Sequence, residues 1–429
     1  MPEQPLRVWF FDNYEWLLLL SCLALFATKN GATYALTVMS VLGLYRLANN
    51  FSELLAQPAI KYLLLCFLCL WLPLLIALSD AANPGRSAQT VFSYLRYLFA
   101  GIFIVQVVSN ESTYRKILLG SVTIVTFWTL DAMVQYFFGQ DLFGYPHDSL
   151  QLAGMFYPKL RLGLLIAVML PVLFEGLRRY AEHSRWWLLI ALPALAVILL
   201  SANRNAWMMA TVALLCFAVY LYRTGFRPPI RVMLAIGLTT CVFLGGVTAV
   251  SDKPLLQRFE NTTQIFSSDF DTVDRATSYR LSLWKTAVNT FEQHWFNGVG
   301  PRGFRYVYQD LAAEDDFWMT RFGRGQTHPH QFVLEVAAET GTVGLAALLL
   351  FWWVVFRAAR KGRSSISSIP WLIAVIVAAF PLNAHLAFYS SYWSTVLWWV
   401  LPIFLGLALA PTHSGTTTEP RAHDGAHSP

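Results

Sequence analysis

The chain has 429 residues, 56% of them hydrophobic and 13% charged, with a formal net charge of +6. Soluble domains carry about 25% charged residues, so this composition excludes an ordinary soluble enzyme and points to a protein of the bilayer. Its Lys and Arg residues are scattered over separate loops rather than gathered in one patch, so the charge is mostly a signal of topology and gives no case for nucleic-acid binding.

Apolar runs long enough to cross a hydrocarbon core of ~30 Å recur along most of the chain. In order, they cover residues 16–27, 32–47, 59–78, 88–108, 117–138, 160–177, 186–200, 206–222, 232–250, 332–356, 371–388 and 393–410. The pattern predicts an all-α polytopic membrane protein of about twelve transmembrane helices. No signal-peptide cleavage pattern precedes the first run, which is therefore expected to stay as an anchor.

The basic residues sort by side. If both termini are cytoplasmic, one set of loops receives Arg46, Lys61, Arg115, Lys116, Arg178, Arg179, Arg185, Arg223, Arg227 and Arg231, then Arg357, Arg360, Lys361 and Arg363. The opposite short loops hold only Lys29, Arg86, Lys159, Arg161 and Arg204. This bias predicts a periplasmic or exoplasmic location for the one large hydrophilic segment, between the ninth and tenth helices. The expected organisation is residues 1–250 as helices 1–9, 251–330 as a periplasmic loop domain, 331–410 as helices 10–12, and 411–429 as a disordered cytoplasmic tail.

At about eighty residues the loop is too long to lack structure of its own. Leu281, Trp284 and Val288 recur at helical spacing over 279–289 and predict an amphipathic helix. Asn297-Gly298-Val299-Gly300-Pro301-Arg302-Gly303 predicts a turn, and 309–316, ending in Glu314-Asp315-Asp316, a short helix. The five cysteines (Cys22, Cys66, Cys69, Cys216 and Cys241) all fall in predicted spans, so the loop has no disulfide, and the Cys66–Cys69 spacing reads as helix packing. The chain has no phosphate-binding glycine loop, dinucleotide fingerprint or H-E-x-x-H, which argues against an energy-driven pump and a zinc protease.

The loop ends at Thr327-His328-Pro329-His330-Gln331, just before an apolar helix. Pro329 suits a first helical position, so the helix is expected to start there. The two imidazoles admit three readings: an interfacial or capping role, a zinc site lacking a clear third ligand, or a base at the membrane surface. Arg204 lies in a small loop, Ser201 to Trp207, on the side poor in positive charge. It reads as a snorkelling anchor or an anion contact. Arg280, beside Tyr279 and ahead of Trp284, and Arg302 and Arg305 after the glycine turn lie on the same expected face. Arginines converging there suit a diphosphate ester, which planar, permanently charged forks bind bidentately. Arg96, Asp131 and His385 fall inside predicted spans, where ionisable groups are paired or functional. Lys159 and Arg161 read as interfacial anchors or phosphate contacts.

His330-x3-Leu334-x4-Glu339-x-Gly341-x2-Gly344 resembles the signature of the O-antigen ligase and polymerase superfamily. The order upstream is also similar: Ser201, Arg204 and Trp207, then Arg280-x3-Trp284, then Gly298-x-Gly300-x2-Gly303-Phe304. One departure is Gln331, where the family commonly has Asn.

The resemblance implies a GT-C-like glycosyltransferase of a Gram-negative inner membrane, with its site facing the periplasm. It would move a glycan from undecaprenyl pyrophosphate to the lipid A–core oligosaccharide. His330 would be the general base, with His328 as an alternative or orienting partner. Arg204 and Arg280 would hold the diphosphate, with Arg302 as a third contact, and Glu339, Tyr279 and Trp284 would support them. No metal, nucleotide sugar or other cofactor is implied. The single dominant loop and the absence of any Arg followed by Gly eleven positions later favour a ligase over a polymerase. A protein O-oligosaccharyltransferase is usually longer. A lipid-linked glycan flippase is the reading from a different class; it would typically have short loops.

Overall fold

The structure, a computed structural model, describes residues 6–147, 151–180, 188–225, 264, 269–362, 366–384 and 386–410. The expected span 232–250, the tail 411–429, Cys241 and His385 lie outside the described residues.

The helices are α1 (Leu6–Ala24), α2 (Gly31–Asn49), α3 (Phe51–Ala56), α4 (Pro58–Ile76), α5 (Pro84–Val108) and α6 (Glu111–Phe138). They continue as α7 (Leu162–Tyr180), α8 (Leu188–Leu200) and α9 (Arg204–Arg223). Four shorter helices of the polar segment follow: α10 (Phe270–Ala276), α11 (Arg280–Gln293), α12 (Phe304–Leu311) and α13 (Phe317–Phe322). The last three are α14 (Phe332–Lys361), α15 (Ile369–Ala378) and α16 (Ser391–Ala408). Among the described residues there is no β-strand. Six helices (α4, α5, α6, α9, α14 and α16) are long and apolar enough to cross a membrane, and shorter apolar helices accompany them. The chain is a multi-pass membrane protein.

Backbone polar groups must be satisfied internally in hydrocarbon, which is why the described membrane-length apolar segments are helical. The interior is organised on α16, the most enclosed of the six, which packs against α5, α15 and α4. Its tryptophans are buried yet hydrogen-bonded: Trp398 Nε1 donates to Tyr94 Oη at 2.9 Å, and Trp399 Nε1 to the Leu19 carbonyl at 3.2 Å. A buried indole must place its N–H, so these bonds fix the rotation of α16 in the bundle. At the end of the bundle where α7 and α9 finish, buried Glu175 accepts from Arg178, Arg179 and the Tyr220 hydroxyl.

Two expected elements differ in extent. Residues 371–388 do not form one span: α15 ends at Ala378, and the chain then turns through 380–390 before α16. Asn383 sets this turn by donating from Nδ2 to the carbonyls of Val377 and Ala378, at 3.0 and 3.1 Å. The short helix expected at 309–316 lies earlier, as α12, and the acidic cluster falls in the turn that follows. Asp316 is drawn out of helical geometry because its carboxylate caps α13, accepting from the Met319 N–H at 2.9 Å. The amphipathic helix expected at 279–289 is α11. It packs on α14, with Leu283, Ala287, Phe304, Tyr308 and Ala338 forming a small apolar cluster of their own.

Candidate active site at a broken helix

The site is organised by an interruption in α14. Gly341 adopts φ 62° and ψ −156°, which breaks the helix two turns after it begins. The break releases the N–H groups of Thr342 and Val343 from the helical ladder. They donate instead to the carbonyls of Trp295 and Phe296, at 2.8 and 3.1 Å. The Val299 N–H returns the contact, donating to the Ala338 carbonyl at 3.0 Å. The polar segment is thus hydrogen-bonded into the helix itself. Gly298 at φ 70° makes the approach possible, since a Cβ there would lie 2.4 Å from the Glu339 carbonyl carbon.

Two carboxylates on α14 extend these ties. Glu339 is fully buried and accepts from the Arg302 backbone N–H at 2.7 Å. Glu335, equally buried, accepts from the N–H groups of Phe388 and Tyr389, at 2.9 and 3.2 Å. One turn apart on the helix, they hold the glycine turn on one side and the 387–389 turn on the other.

The histidines lie just ahead of α14. The helix starts at Phe332 and not at Pro329, because Gln331 is its cap: the side-chain oxygen accepts from the Leu334 N–H at 2.6 Å. The Gln331 amide also donates to the Pro381 carbonyl at 2.8 Å. His330 has φ 51°, a left-handed conformation costly for a non-glycine residue and typical of functional positions. The half-buried rings of His328 and His330 lie with centroids 3.9 Å apart, and Thr327 Oγ1 is 3.0 Å from His328 Nδ1.

Arg204 is the first residue of α9, and Asn203 caps that helix by accepting from the N–H groups of Asn205 and Ala206. The flanking Ser201 and Trp207 close the end of α8: the Ser201 hydroxyl donates to the Ile198 carbonyl, and Trp207 Nε1 to those of Ile198 and Leu199. The Arg204 guanidinium reaches across to the polar segment, donating to the Ala276 carbonyl and, at 2.8 Å, to Ser278 Oγ.

Ser278 and Tyr279 are both left-handed, at φ 64° and 57°. Their neighbours hold them there: the Tyr279 N–H donates to the Asp274 carbonyl at 2.6 Å, and Trp318 Nε1 to the Tyr279 carbonyl at 2.9 Å. The Asp274 carboxylate accepts from the Leu281 N–H and the Ser282 hydroxyl, each at 2.8 Å. This turn delivers Arg280 at the start of α11. Burial, reinforced by the positive charge of Arg204, pushes the Arg280 guanidinium down to about 10. Two cations held close at this electrostatic cost are what a bound dianion would relieve.

The turn after α15 joins the arginines to the histidines. Asn205 Oδ1 accepts from the Ala384 N–H at 3.0 Å, and the Phe332 N–H donates to the Asn383 carbonyl at 3.0 Å. Residues 381–384 are thus bonded both to the neighbour of Arg204 and to the two residues after His330, while Arg280 feels the charge of Arg204. Arg302 belongs to a second group. It lies with Arg305 beside Glu339 and Glu335, and Arg305 is lowered by burial and by the charges of Arg302 and Arg86. Arg302 Nη1, Arg305 Nε and Arg305 Nη2 are buried without a hydrogen-bond partner. Trp284 is half-buried on α11, and its Nε1 has no partner either.

The other polar residues singled out in the sequence have local roles. Asp131 accepts from the N–H groups of Leu142 and Met155, pinning the connection after α6. Arg96 donates to the Tyr97 hydroxyl at 3.0 Å, and Arg161 lies 3.9 Å over the Tyr392 ring. Asn205, Asn383 and Asp274 had no sequence signal as site residues. Their bonds, Asn205 to Ala384, Asn383 to Val377 and Ala378, and Asp274 to Leu281 and Ser282, exist only once the turns have formed.

The fold and site define a multi-pass helical membrane protein in which a polar segment and a broken helix build one junction rich in arginine and histidine. Residues 189–349 match the family model of the O-antigen ligase, bearing out over that stretch the resemblance read from the motifs. The matched segment runs from α8 into α14 and contains Arg204, Arg280, Arg302, His328, His330, Glu339, Gly341 and Gly344. No curated protein matches the chain.

Proposed function

We propose that the chain is an O-antigen ligase of a Gram-negative inner membrane. It transfers O-antigen polysaccharide from undecaprenyl pyrophosphate to a sugar hydroxyl of lipid A–core. The observation that carries this reading is that residues 381–384 bond to the segments holding Arg204 and His330, with Arg280 beside the charge of Arg204. A diphosphate and a proton-accepting imidazole are the two things such a transfer needs.

In the proposed reaction the acceptor hydroxyl oxygen attacks the anomeric carbon while His330 takes its proton. The bond from that carbon to the diphosphate oxygen breaks, its electron pair leaves with undecaprenyl pyrophosphate, and the configuration inverts. Arg204 and Arg280 neutralise the departing diphosphate, which is already a good leaving group and needs no general acid. His328 orients His330 through the ring contact, while Tyr279 and Trp284 wall the arginines. Glu339 is a positioning residue for the Arg302 turn, and Arg302 stands behind the primary diphosphate contacts.

The same reading has about twelve spans in a GT-C-like arrangement, with both termini cytoplasmic and 251–330 a periplasmic domain. A site at the bilayer surface suits two lipid-linked substrates. The test is reconstitution of purified protein with undecaprenyl-pyrophosphate-linked glycan and lipid A–core, without nucleotide or added metal. Glycan on lipid A–core supports the ligase. Longer glycan still on undecaprenyl pyrophosphate makes it a polymerase. No covalent product from folded protein points to a flippase.

A further inference from the structure

The polar segment holds a cavity that the proposed chemistry does not use. It has a volume of about 390 Å³ and is lined by residues of α10, α11, α13 and the turns between them, including Tyr279, Ser282, Lys285, Asp315, Asp316 and Phe317. That volume falls within the range of small-molecule sites, roughly 300–1,000 Å³. Tyr279 belongs both to its wall and to the left-handed turn that delivers Arg280. The cavity therefore opens directly beside the proposed diphosphate contacts.

Its chemistry is specific. One wall is a pair of parallel rings, Tyr279 and Phe317, with centroids 3.4 Å apart and planes inclined by 3°. Around it stand acceptors and donors in mixture: carboxylates from Asp274, Asp315 and Asp316, cations from Arg275 and Lys285, and the Ser282 hydroxyl. Asp274 and Asp316 are buried and fixed by capping bonds, whereas Lys285 and Asp315 form an exposed pair 3.8 Å apart at the rim. Three carboxylates make the cavity a poor host for a polyanion. Mixed donors and acceptors beside a flat aromatic platform suit a ring with an apolar C–H face and a girdle of hydroxyls. The strained Ser278–Tyr279 backbone is the cost of placing the Tyr279 ring in the cavity wall immediately before α11 begins at Arg280.

We propose that this cavity is a saccharide subsite that binds a sugar ring of one of the two glycan substrates, away from the bond being made. The assignment rests on the proposed transferase reading. The sugar comes either from the chain attached to the diphosphate or from the acceptor oligosaccharide.

The test measures binding without turnover. Full-length protein in detergent is examined by saturation-transfer NMR with two free probes, the core oligosaccharide freed from lipid A by mild acid and a synthetic O-chain repeat. At least one probe is expected to receive saturation through ring protons. Phe317→Ala, Lys285→Ala and Asp315→Ala should each weaken its binding by about fivefold or more, the effect of a lost contact or hydrogen bond. Lys285 and Asp315 are 57% and 82% exposed, so their replacement leaves the fold intact even if Phe317→Ala does not. Binding of the core alone assigns the acceptor, and binding of the repeat alone assigns the donor. Saturation of neither probe, or affinities unchanged in the Lys285 and Asp315 variants, overturns the subsite. Because the probes carry no diphosphate, such a failure is separate from any failure of transfer in the reconstituted reaction.

Discussion

The carboxylate of Glu339, inside α14, accepts the backbone N–H of Arg302 at 2.7 Å. A helix residue thus fixes a turn 37 positions earlier in the chain. Replacement by Ala leaves that N–H buried and unpaired, at a cost of about 1–3 kcal/mol. Glu339→Ala is expected to lose most transfer activity, with kcat falling more than KM changes. Glu339→Gln keeps an acceptor oxygen and should recover much of the loss. Hydrogen exchange at residues 298–305 is the independent readout: it should quicken in the Ala variant and not in the Gln variant.

A general base is worth roughly 100- to 10,000-fold in rate. His330→Ala should lower ligation by that factor while expression and thermal stability stay near wild type. His328→Ala should cost less, since its ring contacts His330 and is not assigned the proton. Ligation retained in well-folded His330→Ala protein would remove the base assignment.

Arg280 must be charged to hold a diphosphate, and burial and Arg204 set its free-protein pKa at about 10. Its protonated form is the binding form, so affinity should be level at neutral pH and fall as pH rises through about 10. A bound anion favours the charged guanidinium, so binding in that window takes up a proton. Titration with a short-chain prenyl diphosphoglycoside, whose diester does not itself ionise there, measures this directly. Arg280→Gln should bind roughly 10- to 100-fold more weakly, the worth of a hydrogen bond to a charged group, and lose the alkaline decline.

Gly341→Ala would place a Cβ 2.3 Å from the Phe296 carbonyl oxygen in a backbone conformation that disfavours side chains. Strain alone costs about 1–3 kcal/mol. The expected result is a clear drop in melting temperature together with lost activity, measured in detergent on purified protein.

Gln331 gives a milder case. Gln331→Ala removes both the cap of α14 and the bond to Pro381, a loss of about 0.5–2 kcal/mol for the cap. Gln331→Asn has a shorter reach and should keep the cap better than the Pro381 bond. The order of melting temperatures is expected to be wild type, then Asn, then Ala.

The long helices were legible because their signal is local: an apolar run at membrane length specifies a helix by itself. The site was legible in part. Residue type and position near span ends single out Arg204, Arg280 and His330, and the bonds from residues 381–384 run to the neighbours of Arg204 and His330. Arg302 was grouped with them because it follows a glycine turn, yet it sits with Arg305 beside Glu339. Nothing in a linear reading separates two clusters on the same face. The start of α14 was misplaced because the Gln331 cap outweighs the preference of Pro329 for a first helical position. The turn after α15 was read as helix because its residues are apolar. What ends the helix is the Asn383 side chain competing for carbonyls, a contest that hydropathy does not register.

The hydrogen bonds between residues 295–299 and the break in α14 bear on how this protein could be recombined with a relative. A crossover at 330/331, between loop and span, would pair one parent's glycine turn with the other parent's helix, and Gly298, Glu339, Gly341 and the Thr342 and Val343 N–H groups would have to match across the seam. A chimera that exchanges acceptor preference should therefore carry the segment and the first turns of α14 as one cassette. The natural joint lies past Gly344, where the helix is again an uninterrupted rod.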